Sequence, residues 1–197
     1  MSDSRNLPFN FGPTTNLAWR ITVPAGRSSP VAWENRVFLT GYEGTRYFVV
    51  CFEVKGGRRL WEQTIEATRL ERKSKPNDAA SSTPVVDETG VYALLSGFGL
   101  VSFTRDGKER WRRPLDPLTP PHGMASSPVL AAGAVIVVAD QVSDSHIAAF
   151  EEASGKPKWK TPRPNLAGGH ATAAITDGSV VVRSEQDLWA FQKAGRQ

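Results

Sequence analysis

Apolar and polar positions change over along this chain in short runs. Val37-Phe38-Leu39-Thr40, Tyr47–Val54, Val91–Leu95, Leu100–Phe103, Val135–Val138, Ile147–Phe150, Val180–Val182 and Leu188–Phe191 are rich in β-branched or aromatic residues and bounded by turn formers. Such runs read as strands. No long window carries the helical period of apolar residues. The polar stretch Thr68–Lys75 reads as loop. The chain is therefore predicted to be all-β.

The runs fall into a repeat, and tryptophan marks it. Trp19, Trp61, Trp111 and Trp159 are separated by 42, 50 and 48 residues. Before three of them stands an aromatic residue, then a Gly-containing turn: Phe52 with Gly56-Gly57, Phe103 with Asp106-Gly107, and Phe150 with Ser154-Gly155. Glycine there supplies the positive φ that a tight hairpin needs. A second marker runs in phase with the first. Ser28-Ser29-Pro30-Val31, Ser82-Thr83-Pro84-Val85 and Ser126-Ser127-Pro128-Val129 each precede a β-rich run, and Ala171-Thr172-Ala173-Ala174 is a degenerate fourth copy. About four strands fall in each unit, and four-stranded units of 40 to 50 residues are the mark of propeller blades. A buried Trp removes roughly 150–250 Å² from water. At ~25 cal/mol per Å² that is an upper bound of about 4–6 kcal/mol, enough to hold two blades together at their seam.

The predicted architecture is a β-propeller of four-stranded antiparallel blades occupying 17–193. Its repeats span about 17–61, 62–111, 112–159 and 160–193, with an extension at 1–16 and a tail at 194–197. Leu17–Val23 carries a Trp but has no strands before it, and the last unit has three strand-like runs and no Trp strand after them. The expectation is that the N-terminal strand joins the last blade and closes the ring, which removes an exposed sheet edge.

These residues resemble the pyrroloquinoline-quinone-like (PQQ-like) repeat, from about Leu17 to Phe191. The motif is an alanine or aromatic, an acidic residue, Thr/Ser-Gly, and Trp a few residues on. Ala153-Ser154-Gly155 to Trp159 is the closest copy, and Asp106-Gly107 to Trp111 and Gly56-Gly57 to Trp61 are looser. The group includes quinoprotein alcohol dehydrogenases and the BamB-like propellers of outer membrane protein assembly. Members of the latter group have about eight blades and an export signal, so the resemblance implies a periplasmic or exported protein with about half the usual blades. The N-terminus, Met1-Ser2-Asp3-Ser4-Arg5, has no apolar stretch of the signal-peptide kind, which by itself points to the cytoplasm. A homodimer completing a larger ring is a further expectation.

Composition narrows the chemistry. The net charge of +4 is modest and its cations are scattered, the densest group being Arg69, Arg72, Lys73 and Lys75; nucleic acid is not an expected partner. No run approaches the ~20 apolar residues of a membrane span. Cys51 is the single cysteine, so the chain forms no internal disulfide, and its apolar surroundings mark it as a small core residue. The quinoproteins that share the repeat bind PQQ with calcium. Ca²⁺ wants six to eight oxygen ligands, and no such set assembles from the acidic residues, which lie mostly in turns (Asp87, Glu88, Asp106, Asp177) or beside tryptophans (Glu62). No cofactor is expected. His122, His146 and His170 lack metal-ligand spacing and read as solvated loop histidines. Trp33 and Trp189 read as packing aromatics. The repeated serines have no nucleophile elbow with them.

The leading expectation is a non-enzymatic scaffold for a protein or peptide partner. A quinone-binding oxidoreductase domain or remnant, and a ligand- or carbohydrate-binding propeller, are the alternatives. The loops before the first strand of each blade, at the channel mouth, are the candidate binding surface; they carry Arg27, Lys75, Asn77, His122 and His170. Trp19, Trp61, Trp111 and Trp159 are the structural positions. Light scattering separates the ring models: a mass near 21.5 kDa means that four blades close on themselves, and twice that mass means that two chains share a ring.

Overall fold

The predicted strands form, and each unit of the repeat folds into one antiparallel sheet. The computed structural model describes residues 9, 10, 12–69, 77–118, 123, 124 and 126–165 in full, and 173–176, 179–183 and 188–192 as backbone. The first sheet contains β1 (Val31–Trp33), β2 (Arg36–Glu43), β3 (Arg46–Glu53) and β4 (Arg59–Glu66). The second contains β5 (Val85–Val86), β6 (Val91–Leu95), β7 (Gly99–Phe103) and β8 (Glu109–Pro114). The third contains β9 (Val129–Ala131), β10 (Ala134–Ala139), β11 (His146–Glu151) and β12 (Pro157–Pro162). In all three the spatial order follows the chain. The fourth sheet is three-stranded: β13 (Ala173–Thr176), β14 (Ser179–Arg183) and β15 (Leu188–Gln192). No helix occurs among the described residues.

Each full sheet carries the same irregularity in the same place. The register slips between Cys51 and Phe52, between Ser102 and Phe103, and between Ala149 and Phe150. One extra residue on the fourth strand is left over each time: Leu60, Arg110 and Lys158 lie between the paired positions. Such a bulge bends a strand and re-aims its side chains. The residue that follows it is the repeat tryptophan.

The tryptophans hold adjacent sheets together through one geometry. Trp61 of the first sheet donates its indole N–H to the Arg105 carbonyl of the second at 2.8 Å. Its ring lies so close to Gly107 that a Cβ there would stand 2.7 Å from Cγ. Trp111 repeats this on the third sheet, with Nε1 2.9 Å from the Glu152 carbonyl and its ring over Gly155. Gly107 and Gly155 have φ of +88° and +68°, a conformation that costs an L side chain strain. Glycine is thus required twice over, by the turn and by the ring that rests on it. Phe38 and Phe103 flank Trp61 from either side of the seam. Trp159 differs, being 39% exposed.

The serine-proline marker has a matching role at the inner edge. The amide of Ser29 donates to Thr83 Oγ1, and the amide of Thr83 donates to Ser127 Oγ, both at 3.0 Å. Ser28 Oγ ties its loop to both backbone groups of Thr40. The proline that follows each pair has no N–H to leave unmet at the start of the first strand. The core is divided between the seams. Phe38, Val49, Cys51, Val91 and Phe103 fill the first. Tyr92, Leu100, Trp111, Val135 and Phe150 fill the second.

Closure of the ring by Leu17–Val23 is not seen among the described residues. The segment forms no strand and does not add to β15. It rests on the first sheet instead. Trp19 donates to the Val54 carbonyl at 2.8 Å with its ring over Gly57, and Ile21 packs on Phe48, Val50 and Phe52. Leu17–Val23 therefore occupies, against the first sheet, the place that β4 occupies against the second.

Replacing Gly107 by Ala forces both the strained φ and the clash with Trp61. The expected loss is about 2–4 kcal/mol, or about 5–15 °C in Tm for a chain of this size. Gly133→Ala is the control, since its φ is +67° and nothing lies within 4 Å of the added carbon. Thermal melts of the two variants should differ clearly, and equal losses would show that the Trp seat contributes nothing.

Candidate functional site

The repeat explains most of the unusual residues, so a functional site must be sought where the blades differ. They differ at the ends of β4 and β8. Three residues beyond β4, Arg69 reaches across the first seam and donates to the carbonyls of Leu115 at 2.7 Å and Ser96 at 3.1 Å. Three residues beyond β8 the chain has Pro117, which carries no donor and no comparable reach. A cavity of about 460 Å³ lies at this place in the second seam.

Its walls come from both sheets. Val137, Ala139, Ala148 and Phe150 form an apolar floor on the third sheet, with Leu115 and Leu118 opposite. Arg113, Lys158, Lys160, His146, Asp116, Asp144 and Gln141 contribute the polar lining. Arg113 is partly buried and has no ion-pair partner among the described residues. Lys160 holds Asp144 at 2.9 Å, and the hydrogen bond from Lys160 keeps the Asp144 carboxyl below its usual value. Its volume is in the range of ligand pockets, and its lining is part apolar and part charged.

One rim of the cavity is a rigid turn. Gln141–Ser145 joins β10 to β11, and its buried Gln141 and Ser145 bond to each other through Gln141 N to Ser145 Oγ at 2.9 Å and Ser145 Oγ to the Gln141 carbonyl at 2.6 Å. Asp144 stands at φ +55°, and its carbonyl lies 2.7 Å from His146 Nδ1. Behind the turn, Arg163 and Asp140 form an ion pair with both side chains almost wholly buried. Burial raises the Asp140 pKa and Arg163 pulls it back. Asp140 Oδ2 and Arg163 Nε have no partner.

The sequence candidates are distributed as follows. Arg27 and Asn77 come to the same end of the fold. Arg27 ion-pairs with Asp78 at 3.8 Å across the first two blades, and its amide donates to the Ala80 carbonyl. Lys75, His122 and His170 lie outside the described residues. His146, expected to be a solvated loop histidine, instead opens β11 with its side chain 14% exposed, because its ring closes the turn before it. Trp33 packs on the first seam as expected. Arg113, Lys160 and the 141–145 turn were not singled out by the sequence, since a cation on a strand end and a Gln-Val-Ser-Asp-Ser loop carry no motif.

Two buried side chains near the seams are held in their neutral forms. Burial pushes the Cys51 thiol up to about 11 and the Tyr92 hydroxyl up to about 12. Tyr92 is held between Thr89, Arg110 and Glu152 of the neighbouring blade, which makes it a seam contact. Calcium with a quinone needs several free oxygens on one centre. Asp144, the carboxylate best placed in the cavity, is neutralised by Lys160. The donor set does not fit that group. A second cavity, between Glu34, Arg36, Arg105 and Asp106, has its charges paired across the first seam, Arg36 with Asp106 and Arg105 with Glu34.

Comparison with known proteins places these features. Residues 49–197 match the family model described as outer membrane protein assembly factor BamB. Among solved structures, BamB from Moraxella catarrhalis superposes with a TM-score of 0.65 at 18% identity, over 91% of this chain and 49% of that one. A europium-containing methanol dehydrogenase superposes with a TM-score of 0.54 at 12% identity, over 74% of this chain and 27% of that one. At these identities the likeness to the two structures is one of fold. The chain spans about half the length of that BamB. No curated protein matches the chain.

Arg163→Met should cost about 3–5 kcal/mol at neutral pH, because it leaves Asp140 buried without a counter-charge. The deficit should shrink as pH falls towards 3.8, the ordinary carboxylate value, since a protonated Asp140 needs no partner. Asp140→Leu with Arg163→Met should recover most of it. Urea midpoints across pH read all three.

Proposed function

The chain belongs to the family of the outer membrane protein assembly factor BamB, and on that premise we propose that it is a non-enzymatic scaffold that holds a protein or peptide segment. The second-seam cavity is the observation that carries this reading. It joins an apolar floor to charged walls and is framed by a rigid turn, while the buried thiol and phenol near the seams are held far from reactivity at neutral pH. The name of the family ties such a scaffold to outer membrane protein assembly, and with it to the periplasmic side of that membrane. The likeness to a methanol dehydrogenase is shared architecture, and architecture alone does not bring activity with it.

Arg27, Lys75, Asn77, His122 and His170 remain candidates for a second contact of the proposed surface. The partner would then span from the seam to the mouth.

Site-directed photo-cross-linking in the native host tests the reading. A photoreactive residue replacing Asp116, at the cavity rim, should give an adduct with one identifiable polypeptide. The same residue replacing Lys55, in the exposed turn between β3 and β4, should give none. No adduct from the rim, or substrate oxidation by purified protein supplied with PQQ and calcium, would overturn the proposal.

A further inference from the structure

The cavity's charges are unequal in their commitments, and that inequality specifies a ligand. Asp144 is engaged by Lys160, and Asp116 is exposed on the opposite strand end. Arg113 lines the second-seam cavity, lies opposite Leu100 in the β7–β8 register, and has no carboxylate partner among the described residues. Lys160 lies beside Ala148 on the facing wall, 52% exposed, and its Asp144 is 70% exposed. A surface pair of this kind contributes about 0–1 kcal/mol, so an incoming carboxylate can displace Asp144 at little cost. Arg113 on one wall and Lys158 and Lys160 on the other therefore stand over one apolar floor.

The borders of the cavity add a backbone requirement. β8 and β12 are the outermost strands of their sheets, and residues of both line it. An outer strand leaves a row of unpaired N–H and C=O groups. Extended polypeptide satisfies such a row, with alternate side chains entering the pocket. The prolines at the ends of both strands, Pro114, Pro157 and Pro162, limit that pairing to a short stretch.

We propose that this seam binds a short extended peptide in which an acidic residue alternates with aliphatic or aromatic ones, its carboxylate between Arg113 and Lys160 and its apolar side chain on Val137, Ala148 and Phe150. The inference rests on the scaffold reading above and names the chemistry of its partner. A small carboxylate would meet the cations and leave the floor and the strand edges uncovered.

Fluorescence anisotropy tests it with three labelled decapeptides alternating Leu with Glu, Leu with Gln or Leu with Lys. The Glu peptide should bind, and the other two at least tenfold more weakly. Arg113→Gln and Lys160→Gln should each weaken the Glu peptide at least fivefold, while Arg113→Lys keeps most of the affinity. Lys156→Gln, in the exposed turn before β12, should change nothing. Circular dichroism melts confirm that each variant folds. Equal binding of the three peptides, or full affinity in Arg113→Gln, overturns the proposal. A rim cross-link to a polypeptide without affinity for the Glu peptide removes this ligand chemistry and leaves the scaffold reading standing. Loss of both removes both.

Discussion

A tryptophan ring lying flat against the glycine turn of the next sheet is the constraint on which the rest of this structure depends. Each strand pairs only within its own sheet, so backbone hydrogen bonds cannot join one blade to another along their length. Apart from backbone bonds at the ends, such as Arg27 to Ala80 and Thr68 to Gly97, the joining falls to side chains. The indole satisfies its one donor on a carbonyl of the neighbouring turn and buries its ring on a residue that must lack a Cβ. The bulge one step earlier in the strand aims it there. Removing either partner leaves the other without function, which is why both recur together at Trp19 with Gly57, Trp61 with Gly107 and Trp111 with Gly155.

With the seams fixed in this way, variation is tolerated only at their periphery. The first seam is filled to its outer edge by Arg69, whose guanidinium spans carbonyls of the second sheet. The second seam has a proline in the corresponding place and keeps a cavity. The third blade answers with a turn of its own, braced by the buried Arg163–Asp140 pair. That pair spends stability on position: burial works against both charges, and its value lies in holding Gln141–Ser145 where they frame the cavity. A repeat protein can acquire a site in this manner without disturbing its core, because the site is made from residues the repeat does not use.

The thiol of Cys51 and the phenol of Tyr92 are enclosed by the packing of the described seams. Cys51 lies under the first seam and Tyr92 under the second, and burial disfavours the ionised form of each. Arg113 and Lys160, by contrast, line the cavity of the second seam, and Lys160 is half exposed.

The strands, their grouping in fours, the two repeat markers and the family were legible in the sequence, because each rests on local pattern: alternation, a turn that needs glycine, a proline at a strand start. The role of the tryptophans was legible for the same reason, and Trp19, Trp61 and Trp111 fill it. The second-seam cavity was not. Arg113 and Lys160 are far apart in the chain and carry no motif, and only the seam brings them to opposite walls of one cavity. His146 read as a loop residue because its enclosure comes from the turn folding back on it. Leu17–Val23 read as a fourth strand of the last blade; its pairing with β15 is not seen among the described residues, but it stands against the first sheet as β4 stands against the second, with Trp19 seated on Gly57 and the Val54 carbonyl. Local pattern thus determined which elements form and which surfaces must meet. The tertiary structure alone decided which ones do meet, because contacts between sheets are made by side chains across distances the sequence does not encode.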